Sequence, residues 1–441
     1  MSDAKVKPGS KHRGPLRLRD TYAFFGPLVL MVELNMISKS AIHAFLARTD
    51  SPSVSLAAFN AAFTLYFAIT SASELMALLC LSYLKSRQDV LRLIGFTALL
   101  LALPVALALL IALTSVGDTV YRDWFGLGPV AVTQARMCTG LLVLSMPVLL
   151  LRGTAFALLM LNRRTIIITW STLVRLASLG LSLVFLPNWL EGAAIGGGAL
   201  VFCMLSETVF AWCFCWRHLV ALPPRKKAPE PLLGYWRFSW PLIINQSAEM
   251  GVVFAINLYL GRLAQAELAI AAFGVAHGLV SLLMGPMRNL VQTSQTLIGS
   301  RQDVRVMMVF TVQLIGLFAL LALVLFHTPL KHVVLLDIMG LSPELAGYCE
   351  PAMQIAFIMA AFWSSSALFR GLLARARTTT ALAFGGVLRV AMAVLAASYS
   401  LINPEVNGAL LGVATWILSY VVETALSGWR LHRLGWYVET R

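Results

Sequence analysis

The sequence predicts an all-α polytopic membrane protein, with twelve transmembrane helices in two six-helix bundles related by a pseudo-twofold axis. Three observations carry that prediction: twelve apolar runs of membrane-spanning length, a repeat that maps one half of the chain onto the other, and a one-sided distribution of Lys and Arg. Apolar residues make up 59% of the 441 positions and charged residues 12%, a balance far from that of a soluble domain. Mean hydropathy is +0.80.

A hydrocarbon core roughly 30 Å thick takes about 20 apolar residues per helical crossing. Runs of that kind lie near 22–47, 54–80, 93–114, 131–151, 165–186, 193–216, 238–261, 268–298, 306–326, 346–369, 379–401 and 407–429, numbered here as spans 1 to 12. Pro27, Pro104, Pro147, Pro241 and the pair Gly285-Pro286 fall inside runs and predict kinks, whose freed backbone groups need partners from neighbouring helices. A β-barrel would read as short alternating segments, which are absent.

Basic residues concentrate in alternate connections. The tail before span 1, Lys85, Arg87 and Arg92, the cluster Arg225-Lys226-Lys227 and the residues after span 12 share one side, whereas Arg48, Arg122, Arg262 and Lys331 fall on the other. The positive-inside rule places the first group, and both ends of the chain, in the cytoplasm, which requires an even number of spans. The expected location is a bacterial inner membrane, with no cleaved leader ahead of span 1. The net charge of +14 is thereby a topology signal, and no basic motif on a soluble face points to nucleic acid. Domain boundaries follow: a basic tail at 1–20, bundles at 21–217 and 237–433, a Pro- and Lys-containing linker at 218–236, and a second tail at 434–441.

Displaced by 214 positions, Ser86-Arg87-Gln88-Asp89-Val90 meets Ser300-Arg301-Gln302-Asp303-Val304. The same offset pairs Phe24 with Phe238, Pro27-Leu28 with Pro241-Leu242, Arg48 with Arg262, Arg163 with Arg377 and Arg175 with Arg389. After a two-residue slip, Gly192-Ala193, Gly196, Glu207-Thr208 and Arg217 meet Gly408-Ala409, Gly412, Glu423-Thr424 and Arg433. Six spans per repeat make both repeats enter the membrane from the same side, an organisation found in secondary transporters. It predicts a substrate site in a central cavity between the bundles, worked by alternating access.

Ionisable residues inside spans cost several kcal/mol unless paired or solvated, so each one marks a structural or functional need. Arg175 and Glu207 lie at matching depth on spans 5 and 6, and Arg389 with Glu423 repeats them on spans 11 and 12; the expected role is a structural or gating ion pair in each half. Glu33 and Lys39 on span 1, Glu74 on span 2, Glu249 on span 7 and Arg288 on span 8 are candidates for substrate binding, with Asn245 and Gln246 as polar lining. Glu74 and Arg288 occupy equivalent positions with opposite charge. Arg152, Arg163, Arg164, Arg370, Arg375 and Arg377 are expected at the cytoplasmic mouth, as a funnel for anions or as ordinary inside-positive residues. His43, His277 and the six cysteines read as packing residues, without metal-ligand spacing. No nucleotide loop or catalytic signature appears, so neither an enzyme nor a cofactor is expected.

Several short motifs in the second half resemble the progressive ankylosis protein (ANKH) family, within the multidrug/oligosaccharidyl-lipid/polysaccharide (MOP) exporter superfamily. They are Ser239-Trp240-Pro241-Leu242, Asn257-Leu258 followed by Arg262, Leu336-Asp337-Ile338-Met339-Gly340, Val387-Leu388-Arg389, and Gly408-Ala409 with Leu411-Gly412-Val413 and Glu423. The resemblance implies a MATE-like fold, efflux of polyanions such as ATP, pyrophosphate or citrate, and roles for Arg389, Glu423 and Arg152. The intramembrane charges alone leave open a proton- or sodium-coupled exporter of organic cations, a flippase for lipid-linked precursors, and a non-transporting membrane scaffold.

Overall fold

The computed structural model describes residues 16–46, 48–49, 51–70, 75–124, 127–224, 230–339 and 341–436. Every helix of eight residues or more overlaps a predicted apolar run, and the short helical segments Val116–Asp118, Thr119–Trp124, Leu330–His332 and Val333–Ile338 lie between runs. Span 1 is Leu18–Leu46, span 2 the helices Pro52–Thr70 and Leu75–Tyr83, span 3 Arg87–Leu113, and span 4 the pair Pro129–Val143 and Ser145–Leu161. Spans 5 and 6 are Thr165–Phe185 and Ala193–Val220. Spans 7 and 9 are Leu232–Leu260 and Arg301–His327; span 8 comprises Ala266–Met284, a 3-10 turn at Gly285–Asn289 and Leu290–Leu297. Span 10 is Pro343–Ile355 and Ile358–Arg375, bent by 54°. Spans 11 and 12 are Thr380–Ala397 and Gly408–Arg433.

Among the described residues nine helices are long and apolar enough to cross a membrane, and the bent span 10 makes a tenth. Span 2 falls outside that count because its join, residues 71–74, is not described, and the 29-residue span 7 is diluted by Asn245, Gln246, Glu249 and Asn257. Large apolar side chains such as Leu99, Leu103, Val312, Leu320 and Phe384 face outward, as helices solvated by lipid require. The chain has the fold of an integral membrane protein.

The described residues form two compact units: those within 26–235 in one, and those within 16–25 and 236–436 in the other. Within the second unit, Tyr22 and Phe25 set their rings edge-on to Phe310, and the Leu16 amide donates to Asp303 (3.0 Å). Within the first, Tyr235 packs on Tyr83 and Phe96.

The units share one internal plan. Span 5 packs on span 6, span 4 on spans 3 and 6, and span 2 on span 4; spans 11, 12, 10, 9 and 8 repeat each pairing. The Ser-Arg-Gln-Asp-Val motif is a helix start in both. Asp89 accepts from the Ser86 amide (2.7 Å) and Asp303 from the Ser300 amide (2.8 Å), the reciprocal arrangement of a capping box. Spans 4 and 10 end alike, with Arg163 and Arg377 at φ of 57° and 54° and amide bonds from Arg164 to Leu159 and from Thr378 to Leu373 that close a Schellman turn. One pair is inverted. Arg136 of span 4 binds Asp118 (2.9 Å), whereas Glu350, its counterpart on span 10, binds Lys331.

Close approach of spans 2 and 6 fixes the first core, and of spans 8 and 12 the second. Gly196 lies against Phe59 and Gly412 against Phe273, and an added Cβ would sit 2.8 Å and 2.5 Å from those buried rings. Overpacking of this kind costs about 1–3 kcal/mol. We expect Gly412→Ala to lower the melting temperature of the detergent-purified protein, and Gly274→Ala, which meets nothing within 4 Å, to leave it within error.

Candidate functional site

Each unit buries a cluster of charged side chains, assembled by helices distant in sequence. In the first unit Glu207 of span 6 is wholly buried and lies 2.8 Å from Arg152 Nε of span 4 and 3.5 Å from Arg175 Nη1 of span 5. The Thr172 hydroxyl donates to the other carboxylate oxygen at 3.0 Å, and Arg175 also donates to Asn35 of span 1 at 2.8 Å. The Arg152 guanidinium rests 4.7 Å from the centre of the Phe156 ring, a cation–π contact.

The second unit holds the larger cluster. Glu423 of span 12 accepts from Arg389 Nη1 (3.0 Å), from Asn245 (2.7 Å) and from Ser366 (3.0 Å). Arg389 and Glu423 both have 0% side-chain exposure. Asn245 and Glu249, four residues apart, share a face of span 7. Glu249 accepts from Arg288 Nη2 at 3.2 Å and, through both oxygens, from the Tyr420 hydroxyl at 3.1 Å; Arg389 Nη2 stands 3.6 Å away. Arg370 donates to the Asn245 carbonyl oxygen at 3.4 Å. Aromatic rings wall the group: Arg389 lies 4.1 Å over Tyr420 and Arg288 5.3 Å over Trp363, and Trp363 packs on Trp416 and Tyr420.

Local backbone explains why Arg288 is here. Pro286 cannot donate an amide hydrogen bond, and the chain tightens into the 3-10 turn Gly285–Asn289 in the middle of span 8. That turn presents Arg288 to Glu249 with its side chain 46% exposed, whereas Glu249 is 12% exposed. Arg389 Nη2 and Nε, Arg370 Nε and Trp363 Nε1 are buried and make no hydrogen bond among the described residues.

The sequence-selected residues divide accordingly. Arg288, Glu249 and Asn245 come together with Arg389 and Glu423; Gln246 is half-buried on the adjoining face and outside the cluster. Arg152 and Arg370, expected at the cytoplasmic mouth, turn inward instead, because Glu207 and the Asn245 carbonyl give their guanidinium groups partners. Arg163 and Arg164 are exposed, and Arg375 and Arg377 are half-buried at the end of span 10. Glu33 is half-buried on span 1. The side chain of Lys39, and Glu74 entirely, lie outside the described residues. His277 packs on Trp416 (4.5 Å), His43 bonds Asn60 (2.7 Å), and all cysteines except Cys213 are buried. No trio of His, Cys, Asp or Glu among the described residues is placed to hold a metal ion.

Trp363 carries no sequence signal of its place in the cluster, whereas Tyr420 and Ser366 do. Tyr420 precedes Glu423 by one helical turn, and Ser366 occupies the repeat position of Arg152, so either relation points to them.

No family model matches the chain, and no curated protein matches it. Solved structures do. A MOP superfamily transporter from Pyrococcus furiosus, for which reversed polarity of the binding pocket suggests a different function, superposes with a TM-score of 0.71 at 15% identity, covering 96% of this chain and 97% of that one. A MATE structure in complex with MaD3S gives 0.72 at 16% identity over 96% and 98%. A eukaryotic MATE transporter gives 0.69 at 13% identity over 96% of each chain. The chain therefore shares its fold with MATE transporters, and at these identities the likeness is one of fold.

Removing one partner of a buried ion pair strands the other charge, at a cost of roughly 3–5 kcal/mol. Glu423→Ala is expected to destabilise the purified protein by about that much, seen as a lower melting temperature in detergent. The double variant Arg389→Met/Glu423→Leu, which strands neither charge, should recover most of the loss.

Proposed function

We propose that this chain is a secondary transporter that exports small multivalent anions, organic carboxylates or phosphates such as citrate, pyrophosphate or ATP, by alternating access from the cytoplasm, where both chain ends lie. The observation that carries this reading is charge imbalance. Among the described residues the first cluster sets Arg152 and Arg175 against Glu207, and the second sets Arg288, Arg370 and Arg389 against Glu249 and Glu423. Each holds one more guanidinium than carboxylate. Surplus positive charge at low dielectric favours an anionic ligand, and Arg288, the most exposed member, is the group we assign to meet it. A planar guanidinium suits carboxylate and phosphate through paired hydrogen bonds. The resemblance of the second-half motifs to the progressive ankylosis proteins supports the same substrate class. The fold supports transport as the activity.

A second reading rests on the MATE neighbours: export of organic cations coupled to protons or sodium, with Glu249 or Glu33 as the exchanging carboxylate. Flux through proteoliposomes separates the two. With labelled citrate, pyrophosphate and ATP set against a labelled organic cation, we expect anion flux and no cation flux. Arg288→Ala should lower the anion flux by roughly tenfold or more, the loss of one charge-assisted contact. Cation flux that survives Arg288→Ala and disappears with Glu249→Gln would overturn the anion reading.

A further inference from the structure

The charge pair Arg288–Glu249 belongs to one unit only. At the repeat position of Glu249 the first unit carries Asn35, which accepts from Arg175 (2.8 Å) much as Glu249 stands opposite Arg389 (3.6 Å). At the repeat position of Arg288 it carries Glu74. An amide therefore satisfies the fold at this point of span 1, and the carboxylate of Glu249 answers a need that packing does not impose.

The surroundings of Glu249 are those of an anion-binding site already filled. Its two oxygens take hydrogen bonds from Arg288 and Tyr420 and lie within ion-pair distance of Arg389. Arg389 Nη2, wholly buried, is close enough to attract the carboxylate and too far to bond it, and it has no other hydrogen-bond partner among the described residues. A carboxylate or phosphate oxygen replacing Glu249 would meet the same three donors.

We infer that Glu249 is a built-in stand-in for the transported anion: it occupies the Arg288–Tyr420–Arg389 donors when the carrier is empty, and substrate displaces it. The inference rests on the anion reading above. Its consequence is kinetic. A carrier whose buried arginines stay neutralised without substrate can return empty, and so can perform net efflux. A carrier lacking the stand-in must return with an anion bound, and so is driven toward exchange.

The test uses the full chain in proteoliposomes loaded with labelled citrate or pyrophosphate, with membrane potential clamped by potassium and valinomycin. Net efflux into anion-free buffer and exchange against external anion are measured for wild type, Glu249→Gln and Glu249→Asp. For Glu249→Gln the ratio of exchange to net efflux should rise by about tenfold or more, because empty return now carries unneutralised guanidinium through the interior. Glu249→Asp, which keeps the charge, should restore the ratio toward wild type. An unchanged ratio in Glu249→Gln overturns the stand-in, as does equal loss of both fluxes in a variant that elutes as a single folded species. Wild-type protein that moves neither anion defeats the anion reading itself, a result separate from any change in the ratio.

Discussion

Burial of Arg389 is the constraint on which the second unit depends. A guanidinium with no exposed surface inside a helical bundle needs a counter-charge and hydrogen-bond acceptors at fixed positions. Glu423 supplies the charge, but a carboxylate buried to the same degree needs donors of its own, which come from Asn245 on span 7 and Ser366 on span 10. One ion pair therefore fixes four spans against one another, and Glu249 with Tyr420 ties a further turn of spans 7 and 12 to it. The first unit solves the same problem with different chemistry. Arg152 stands where Ser366 does, and the arginine one turn later, Arg370, is replaced there by Phe156, whose ring faces Arg152. The cation has moved by one turn, and the carboxylate keeps two guanidinium neighbours in its vicinity in each unit.

Much of the fold was legible because lipid imposes it. A helix that must satisfy its own backbone and present apolar side chains outward leaves a run of about 20 apolar residues in the sequence, and those runs located each span. The pairing of Arg175 with Glu207 and of Arg389 with Glu423 was legible too, since matching depth on consecutive antiparallel helices is a statement about sequence spacing. The strongest repeated motif proved to mark a helix start, and its conserved spacing in both halves follows from the capping box between Ser and Asp three residues apart.

What the sequence concealed is direction. Arg152 and Arg370 sit close to the ends of apolar runs, where arginine ordinarily reaches for water, and no periodicity distinguishes that from turning inward. The decision is made by acceptors elsewhere in the chain, Glu207 and Asn245, which approach only after the bundle assembles. Trp363 was hidden for a related reason: an aromatic residue in a span is by default lipid-facing or packing, and only the guanidinium group stacked on its ring gives it another task.

The departures from the repeat are more informative than the repeat. Where both halves agree, as in Arg175 and Arg389 or Gly196 and Gly412, the residue answers a demand of the shared architecture, because the same surroundings recur. Where they differ, the architecture tolerates either choice and something else decides. Asn35 opposite Arg175 and Glu249 opposite Arg389 are such a pair: the amide suffices to accept a hydrogen bond, and the carboxylate adds charge at a desolvation cost of several kcal/mol. Set beside a second asymmetric charge, Arg288, and on the most exposed side of the cluster, that added charge is the feature that the proposed anion site accounts for and the shared packing does not.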